Sequence, residues 1–541
     1  MYDTISHINK TNKSGLIMAA DFEAAFETVS WRFVRAVLEG MNFGNNFIGL
    51  INMMYLNQHN FSRILLNGFM GEKIYMQRGI RQGDPVSGYL FNIAVEILAK
   101  QVNESSKLTG INMSENTEIR ISQYADDTIL FLDGSERSLN GIIEELTAFS
   151  KQSGLKLNWE KTACLPLGRL NPPDEFDINV MHKFKWVREI KILGILFKAN
   201  ISNITELNLD RKLILLENEI AQWNRRYITP MGKITVIKSL LLSKLVHLFM
   251  ALPNPSPNYI KKIEQILYSF LWNNKPDRIK RAKAIQKYGF DGLQMIDITS
   301  FLHSLKLSWL KRFADSTAVW TTVARLEQLD PMNLLTYGTA KLKQITLNIT
   351  NIFWREVIQA LIQFNQLVKL EPDEILREKL WFSDYTKFKT SMVKQWDING
   401  LRFIGDLFNP TNGNILSREE IRRQYRISMT FLCYESLIRS LPQAIKNRIH
   451  TAIERPNMPF KLQLFVNQPN ISKYCYSLFV NALREKCFSA DARLEQKWNR
   501  DIGFHLRGSM LHVRKVTKSV YLIYLHYIII NIIITTNKLD S

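Results

Sequence analysis

A pair of adjacent aspartates lies between two short segments that have the pattern of β-strands. The segment Tyr124-Ala125-Asp126-Asp127 follows the alternating apolar and polar residues from Ile119 to Gln123, and it precedes the strand-like run from Thr128 to Leu132. Two such runs separated by a short polar turn predict a β-hairpin. We therefore expect both carboxylates at the tip of a hairpin.

A third carboxylate follows another strand-like run. Leu16 to Ala20 is a short apolar segment that predicts a buried strand, and it ends at Asp21. If the two strands are neighbours in one sheet, three carboxylates come together. Such a group suits nucleotidyl transfer, which requires two divalent cations about 4 Å apart on oxygen ligands. In the alternative interpretation, Asp21 caps the following helix and the aspartate pair fills a turn.

The composition favours a partner that carries negative charge. Lysine and arginine number 70 against 50 aspartates and glutamates, which gives a formal net charge of +20 and a pI near 9.6. Nucleic acid is the first candidate for such a partner and an anionic membrane surface is the second. A chain of 541 residues with 46% hydrophobic content can bury more than one core, which excludes a single small binding module.

The cysteines and the first residues indicate the compartment. The four cysteines are Cys164, Cys433, Cys475 and Cys487. They are too few for a disulfide scaffold and too widely spaced for a zinc site, and residues 1–15 lack the features of a secretory signal. We expect an intracellular protein, in the nucleus or the cytoplasm, that is not secreted. The apolar run from Val520 to Ile534 is short for a membrane span, and a buried segment is the preferred interpretation.

The periodicity changes near residue 200. Before it, strand-like and helix-like patterns alternate, with helices predicted over 87–101 and 139–149; beyond it, helical segments are predicted over 207–223, 231–250 and 257–272. We predict an α+β domain over residues 1–200, a helical domain over 201–290, and a mainly helical domain of unknown role over 291–541.

Several segments resemble the conserved motifs of one family, and they occur in its order. Tyr124-Ala125-Asp126-Asp127 looks like the Tyr/Phe-Ala-Asp-Asp box of reverse transcriptases. Ala20 to Trp31 is similar to the first catalytic motif as LINE elements write it, and Gly79 to Ser87 resembles the signature in which an Arg-Gln-Gly turn leads into a helix. Gly154 to Thr162 looks like the motif that follows the aspartate box in LINE elements.

Two further segments extend the resemblance to the LINE-type, or non-LTR retrotransposon, reverse transcriptases. Trp186 to Phe197 is similar to the primer grip, and the stretch from Trp223 through Trp272 resembles the thumb. The resemblance implies a right-hand polymerase fold, in which an α+β palm of antiparallel sheet backed by helices precedes a helical thumb.

The resemblance also implies roles for individual residues. Asp21, Asp126 and Asp127 are expected to hold two Mg²⁺ ions, with Mn²⁺ as an alternative, and Lys161 to assist the departing pyrophosphate. The residues expected to bind the nucleotide or the template are Phe26, which would exclude a 2′-hydroxyl, Arg81, Gln82, Gly83 and Tyr124. Leu193 and Gly194 are expected to contact the primer. The implied partners are an RNA template, a DNA primer and deoxynucleoside triphosphates; the oligomeric state is open.

Ordinary structural roles remain as alternatives for some of these residues. Phe26 can equally be a core aromatic, Lys161 can be a solvated surface lysine, and the basic stretch from Lys275 to Lys283 can contact phosphates or only solvent.

Some features depart from the family pattern. Ala24, Glu27 and Gly88 replace the lysine, aspartate and proline that are usual there. The chain also begins almost at the first catalytic motif, so we expect a truncated polymerase without its endonuclease and most of its fingers. Three functions therefore remain open: RNA-directed DNA synthesis, a remnant that binds nucleic acid without catalysis, or a membrane-associated interaction protein held by Val520 to Ile534.

Overall fold

A computed structural model describes most of the chain, which forms two compact units. The residues outside the description are 57–59, 171–183, 291, 316–319, 328, 387, 389–392, 447–457 and 487–541. The first unit is Met1–Ile204, and the second begins at Thr205. The apolar run from Val520 to Ile534 lies outside the described residues, and the division into three domains stays a prediction.

Short strands alternate with helices in the first unit. The strands are β1 (Gly15–Ala20), β2 (Phe22–Glu23), β3 (Phe61–Ser62), β4 (Leu65–Leu66), β5 (Phe69–Met70), β6 (Ile74–Tyr75), β7 (Ile111–Ser114), β8 (Thr117–Ile119), β9 (Ile121–Tyr124), β10 (Asp127–Leu132), β11 (Lys156–Leu157), β12 (Ala163–Leu167), β13 (Lys185–Trp186), β14 (Glu189–Ile192) and β15 (Ile195–Lys198). The α-helices are α1 (Tyr2–Thr11), α2 (Ala25–Thr28), α3 (Trp31–Gly40), α4 (Asn45–Ile51), α5 (Ser87–Glu104) and α6 (Glu136–Ser153), and a π-helical turn covers Asn52–Leu56.

A five-stranded sheet carries the site, with the strand order β13-β12-β1-β10-β9. β1 pairs antiparallel with both β10 and β12, and β9 pairs antiparallel with β10. Only the pairing of β12 with β13 is parallel in this sheet, as far as the described residues show. The predicted α+β fold class, with a largely antiparallel sheet, is confirmed.

Helices α5 and α6 pack against one face of this sheet. Their apolar residues recur at helical spacing, and they share one buried core with β1 and β10. The core residues from these two helices are Leu90, Phe91, Ala94, Val95, Leu98, Val102, Leu139, Ile142, Leu146 and Phe149. The Ser135 side chain caps the start of α6, and Gly154 ends the helix in the left-handed conformation (φ 78°). Both predicted helices are confirmed, and the sheet is backed as expected.

The second unit is helical in its described part. Its α-helices are α7 (Ile204–Trp223), α8 (Pro230–Val236), α9 (Ser243–Ala251), α10 (Pro257–Trp272), α11 (Arg281–Ala284), α12 (Ile298–Asp315), α13 (Trp320–Leu326), α14 (Pro331–Leu334), α15 (Thr339–Asn348), α16 (Ile352–Leu367), α17 (Pro372–Leu376), α18 (Val393–Ile398), α19 (Arg418–Tyr425), α20 (Phe431–Ser440), α21 (Gln443–Lys446), α22 (Phe460–Asn467) and α23 (Ile471–Lys486). A π-helical turn covers Ile237–Leu241, and short 3₁₀ turns cover Tyr288–Phe290 and Ile404–Leu407.

The single helix predicted over 231–250 is wrong. A π-helical turn follows α8, and the axis bends by 47° between Pro230–Leu241 and Ser243–Ala251. Within the described residues, no one helix has both the length and the apolar content to cross a membrane, although this bent pair meets both criteria when its halves are taken together.

Candidate active site

The pairing of β1 with β10 brings the three predicted aspartates to one end of the sheet. Ala20 at the end of β1 pairs with Thr128, so Asp21 lies beside Asp127 at the start of β10. In the hairpin of β9 and β10, Tyr124 pairs with Asp127, and Ala125 and Asp126 form the tip. This is the neighbour relation that the sequence left open.

The hairpin tip is held in an uncommon backbone conformation. Ala125 has a φ of 52°, in the left-handed region that residues with a Cβ seldom adopt. A two-residue hairpin turn favours positive φ because it matches the twist of the flanking strands. Asp126 and Asp127 therefore project from a short turn, and both side chains are exposed.

The carboxylates repel one another. Partial burial raises the pKa of Asp127 above its usual value, and the negative charges of Asp126 and Asp21 raise it further. A divalent cation would relieve this repulsion, and carboxylate oxygens are the ligands that Mg²⁺ and Mn²⁺ prefer, so the chemistry of the donors fits such an ion. In the described part of the chain, however, no three acidic, histidine or cysteine side chains converge closely enough to form a metal site.

Backbone contacts fix the position of Asp21. Its carbonyl oxygen accepts a hydrogen bond of 2.8 Å from the Asn158 amide, and its own amide donates to Thr162 Oγ1 at 3.5 Å. The helix that follows has Ala24 at its N-cap and no side-chain cap, so the alternative in which Asp21 caps this helix is wrong.

The turn that carries Lys161 is attached to the same strand end. The Thr162 amide and hydroxyl both donate to the Asn158 carbonyl, at 3.0 and 2.8 Å, and the Lys161 amide donates to Asn158 Oδ1 at 3.1 Å. The Lys161 side chain is exposed. Its turn thus adjoins Asp21, and the choice between a catalytic and a solvated lysine stays open.

The predicted gate residue Phe26 is half-buried in helix α2. Its ring stacks on Phe91 of α5, with centroids 4.4 Å apart and planes 17° apart. Because Phe91 is fully buried in the core, this contact restricts the ring of Phe26. Phe26 therefore packs as a core aromatic on one face, and its role as a gate stays a prediction.

The Arg-Gln-Gly segment is docked on helix α2 through its backbone. The amides of Gly79 and Ile80 donate to the carbonyls of Val29 and Phe26, at 2.9 and 2.6 Å. Gly79 has a φ of 89°, and a Cβ there would lie 2.6 Å from the carbonyl oxygen of Glu27. Only glycine fits so close to the helix.

The side chains of this segment are also held. Gln82 Nε2 donates to Glu27 Oε1 at 2.7 Å, and an Arg81 guanidinium nitrogen donates to Asn60 Oδ1 at 3.2 Å. Gly83 has a φ of 88° with open space where a Cβ would be, so its backbone conformation rather than crowding requires glycine. The Arg-Gln-Gly segment therefore lies against α2, the helix that begins shortly after Asp21 in the sequence.

Sequence reasoning missed three supporting residues, Glu27, Tyr55 and Asn60. The Tyr55 hydroxyl lies 3.0 Å from Ser87 Oγ and 3.4 Å from Asp84 Oδ2, so it joins the π-helical turn that contains Tyr55 to the start of helix α5. The sequence offered one clue to Glu27, because a glutamate stands there in place of the aspartate that is usual in the family. It offered no clue to Tyr55 or Asn60.

The predicted primer grip is a separate two-stranded sheet. β14 and β15 form a hairpin in which Ile192 pairs with Ile195, and its tip is Leu193-Gly194. Both tip residues have positive φ, 46° and 79°, as a tight two-residue turn requires. The segment is thus a β-hairpin, and its contact with a primer stays a prediction.

Comparisons with known proteins agree with this arrangement. Residues 2–197 match the family model described as reverse transcriptase (RNA-dependent DNA polymerase). A Xenopus laevis protein named as an uncharacterized 149 kDa protein of transposon TX1 is 26% identical over 332 residues, covering 60% of this chain and 24% of that protein. A Pol polyprotein of the type-1 retrotransposable element R2 from Popillia japonica is 25% identical over 240 residues, covering 43% of this chain and 38% of that protein.

The solved structures give a weaker match. Apo telomerase from Candida tropicalis is 11% identical, with a TM-score of 0.31, over 67% of this chain and 50% of that one. That value is too low for residues or elements to be compared.

The sheet, its three carboxylates and the family match define residues 2–197 as a reverse transcriptase domain. The curated relatives narrow the class, because the domain is similar to that of LINE-type Pol proteins of non-LTR retrotransposons. The chain spans between about a quarter and two fifths of the length of the two relatives described above.

Proposed function

We propose that this chain synthesises DNA on an RNA template by extending a primer 3′-hydroxyl through two-metal nucleotidyl transfer. The observation that carries the proposal is the register of β1 and β10, in which Ala20 pairs with Thr128. That register puts Asp21 beside Asp127, next to the hairpin tip that carries Asp126, so three carboxylates from two segments that are distant in sequence lie at one end of the sheet.

Asp21, Asp126 and Asp127 would hold the two Mg²⁺ ions, or Mn²⁺ in their place. When bound, the ions activate the attacking hydroxyl and stabilise the charge that develops on the triphosphate. The raised pKa of Asp127 is compatible with this assignment: partial burial raises it most, and the neighbouring charges of Asp126 and Asp21, which a cation would neutralise, raise it further.

Residues around α2 would select and position the nucleotide and the template. The ring of Phe26, restricted by Phe91, would exclude a 2′-hydroxyl by contact with the sugar. Gln82, held by Glu27, and Arg81 would contact the base pair or the phosphates, and the open backbone at Gly83 would allow a base to approach. Tyr124, at the end of β9 and paired with Asp127, would border the nucleotide beside the aspartates.

Lys161 and the β14–β15 hairpin complete the proposed site. Lys161 lies on the turn attached to Asp21, from which a flexible cation could neutralise or protonate the leaving pyrophosphate. Leu193 and Gly194 would present the backbone of a tight turn to the primer end. The net charge of +20 favours binding of both RNA and DNA.

Primer extension by the purified full chain tests the proposal. The reaction contains an RNA template, a DNA primer, deoxynucleotides and Mg²⁺, and it compares wild-type protein with Asp126→Asn/Asp127→Asn. We expect the variant to lose about a hundredfold or more in rate, because metal ions contribute several kcal/mol of transition-state stabilisation. Glu115→Gln, an exposed acid in the turn between β7 and β8, is the matched control and should extend normally.

The rival proposal is a remnant that binds nucleic acid without catalysis. It is supported by the net charge of +20, which favours binding of a polyanion whether or not the chain is catalytic. Folded wild-type protein that binds a primer–template in a salt-dependent manner but extends no primer would establish the remnant.

A further inference from the structure

A bulge interrupts the strand pairing beside the proposed active site. The pairing of β1 with β12 ends at Ala19 and Ala163, and the pairing of β2 with β11 begins at Phe22 and Leu157. Between these pairs one chain has two residues, whereas the other has five, 158–162. The longer chain therefore has three extra residues, which form a turn. Bulges of this kind change the direction of side chains next to a site.

Two residues close the bulge, and both contact the backbone of Asp21. At its start the Asn158 amide donates to the Asp21 carbonyl at 2.8 Å. At its end the amide and the hydroxyl of Thr162 donate to the Asn158 carbonyl, at 3.0 and 2.8 Å, and the same hydroxyl accepts a longer bond of 3.5 Å from the Asp21 amide. We call Asn158 and Thr162 the clamp, because together they join the turn to the strand end.

The backbone of the turn is also tied to its surroundings. The Thr162 carbonyl accepts from the Lys185 amide of β13 at 3.0 Å, and the ring of Trp159 packs on the core with its centroid 5.8 Å from that of Phe184. Lys161, between these anchors, has an exposed side chain. The backbone of Lys161 is therefore held, while its side chain keeps its choice of rotamers.

The Thr162 hydroxyl does more than satisfy a buried polar group. The Asn158 carbonyl already accepts from the Thr162 amide, and a valine would fill the same fully buried volume with nearly the same shape. The hydroxyl adds a second bond within the turn and an acceptor for the Asp21 amide. It thereby links the turn to the strand end, which a methyl group cannot do.

We propose that Asn158 and Thr162 are positioning residues that hold the Lys161 turn at a fixed place relative to Asp21. A carboxylate for the metal ions and a cation for the leaving pyrophosphate then keep a constant backbone separation during transfer. The consequence for catalysis rests on the proposed function, whereas the link between the turn and the strand end does not.

Hydrogen exchange of the full chain tests the link without metal, nucleotide or primer. We expect Thr162→Val to speed the exchange of the amides over residues 157–163 about fivefold, because one buried hydrogen bond is lost. Thr162→Ser, which keeps the hydroxyl, should exchange nearly as wild type does. The matched control is Thr205→Val in the second unit. Thr205 is also buried and its hydroxyl donates to the Pro253 carbonyl at 2.9 Å, so its loss should leave exchange over 157–163 unchanged.

A second variant covers the case in which Thr162→Val does not fold. Asn158 Oδ1 accepts from the Lys161 amide at 3.1 Å, and the Asn158 side chain is only half-buried. Asn158→Ala keeps the backbone amide that donates to Asp21 but releases the Lys161 amide. We expect it to speed exchange over residues 157–163 as well.

Primer extension tests what the clamp does for catalysis. We expect Thr162→Val to lower kcat about fivefold with little change in the KM for deoxynucleotides, because the clamp lies beneath the residues that act on the triphosphate rather than on the nucleotide itself. Thr162→Ser should restore most of the rate. In a Lys161→Ala background, Thr162→Val should cost at most about twofold, since the threonine acts through the lysine.

Three results would overturn the clamp. In the first, folded Thr162→Val exchanges over residues 157–163 as wild type does. In the second, Thr205→Val slows primer extension as much as Thr162→Val, which would make the effect one of general stability. In the third, Thr162→Val costs as much in the Lys161→Ala chain as in wild type, so that the threonine does not act through the lysine.

The two proposals fail separately. If wild-type protein extends no primer but Thr162→Val speeds exchange over residues 157–163 and Thr162→Ser does not, the polymerase is refuted and the link between the turn and Asp21 stands. If wild-type protein extends a primer and Thr162→Val matches it in both kcat and exchange, the clamp alone is refuted.

Discussion

Glu27 holds Gln82 through a hydrogen bond of 2.7 Å between Gln82 Nε2 and Glu27 Oε1. The two residues come from different motifs, the first in α2 and the second in the Arg-Gln-Gly segment. The bond therefore restricts the rotamers of an exposed side chain that is proposed to contact substrate. Glu27 is a positioning residue in this arrangement, since it acts through Gln82.

Removing this acceptor should weaken nucleotide binding more than catalysis. We expect Glu27→Ala to raise the KM for deoxynucleotides about three- to tenfold with little change in kcat, because an exposed charge-assisted hydrogen bond is worth about 1 kcal/mol. Glu27→Gln should restore most of the affinity. The check is steady-state primer extension, with Glu23→Ala, an exposed neighbour in β2, as the control. A fall in kcat at constant KM would contradict a positioning role.

A comparison of two glycines in the Arg-Gln-Gly segment separates the effect of steric crowding on stability from the effect of backbone strain. Gly79 and Gly83 have nearly equal φ values, 89° and 88°, but only Gly79 would place a Cβ against backbone, at 2.6 Å from Glu27 O. We expect Gly79→Ala to lower the free energy of unfolding by about 2 kcal/mol more than Gly83→Ala does. Urea denaturation of both variants measures the difference. Equal losses would mean that α2 does not contact Gly79 this closely in solution.

The partial burial of Asp127 and its repulsion by Asp126 and Asp21 should appear as a dependence of stability on pH. Because the pKa of Asp127 is raised in the folded state, the folded protein is less stable once this group ionises, and the penalty grows as pH rises above the usual aspartate value. We expect Asp127→Asn to stabilise the metal-free protein at pH 7 by at most about 1 kcal/mol after solvent screening, and by less at pH 4.5. Thermal unfolding at the two pH values checks this.

The same pair of proteins tests metal binding. Mg²⁺ at millimolar concentration should raise the Tm of wild type, since it binds only the folded site, and should raise the Tm of Asp127→Asn less. Equal shifts would show that the ion binds elsewhere.

A buried lysine in the second unit gives a prediction of the opposite sign. Lys306 is fully buried, its Nζ donates to the carbonyl oxygens of Phe249 and Leu252, and Glu356 Oε2 lies 3.8 Å away. Burial lowers the pKa of Lys306 to about 7, whereas the unfolded chain keeps a value near 10.5. The penalty for burying the charge is complete below pH 7 and is relieved as pH rises from 7 towards 10.5.

Lys306→Met should therefore remove a rise in stability between pH 7 and pH 9.5 that wild type shows. Glu356→Ala, which leaves the lysine without its carboxylate, should destabilise the protein by about 3 kcal/mol at pH 7. Urea denaturation across this pH range measures both effects. A wild-type stability that falls over the range would contradict the prediction.

Three of the five strands of the sheet, β1, β9 and β10, were predictable from sequence because their patterns are clear, whereas β12 and β13 were not predicted. The apolar run that becomes β1 is buried along its length, and the run that becomes β10 follows a turn. Their adjacency needed the motif order, since no local pattern encodes a pairing between residues so far apart. The neighbouring positions of Asp21, Asp126 and Asp127 therefore followed from resemblance rather than from periodicity.

Other parts of the fold and the site gave no usable sequence signal. The segment over 231–250 is apolar around much of its circumference, so periodicity does not reveal the π-helical turn at Ile237–Leu241. The paired side chains of Glu27 and Gln82 depend on tertiary contact. The two-stranded segment from β3 to β6 had one signal, the Asn67-Gly68 dipeptide typical of tight hairpin turns, but its two-residue strands are too short for an alternating pattern to show.

The central position of β1 in the sheet determines how rarely the backbone next to Asp21 opens. β1 has a hydrogen-bonded neighbour on each side, β10 and β12, whereas β9 pairs with β10 and ends the strand order. Amide protons of Leu16 to Ala19 should be among the slowest of this unit to exchange with solvent, and those of β9 should exchange through partial openings. Asp21 thus extends from a strand that stays paired while the edge of the hairpin that carries Asp126 opens and closes.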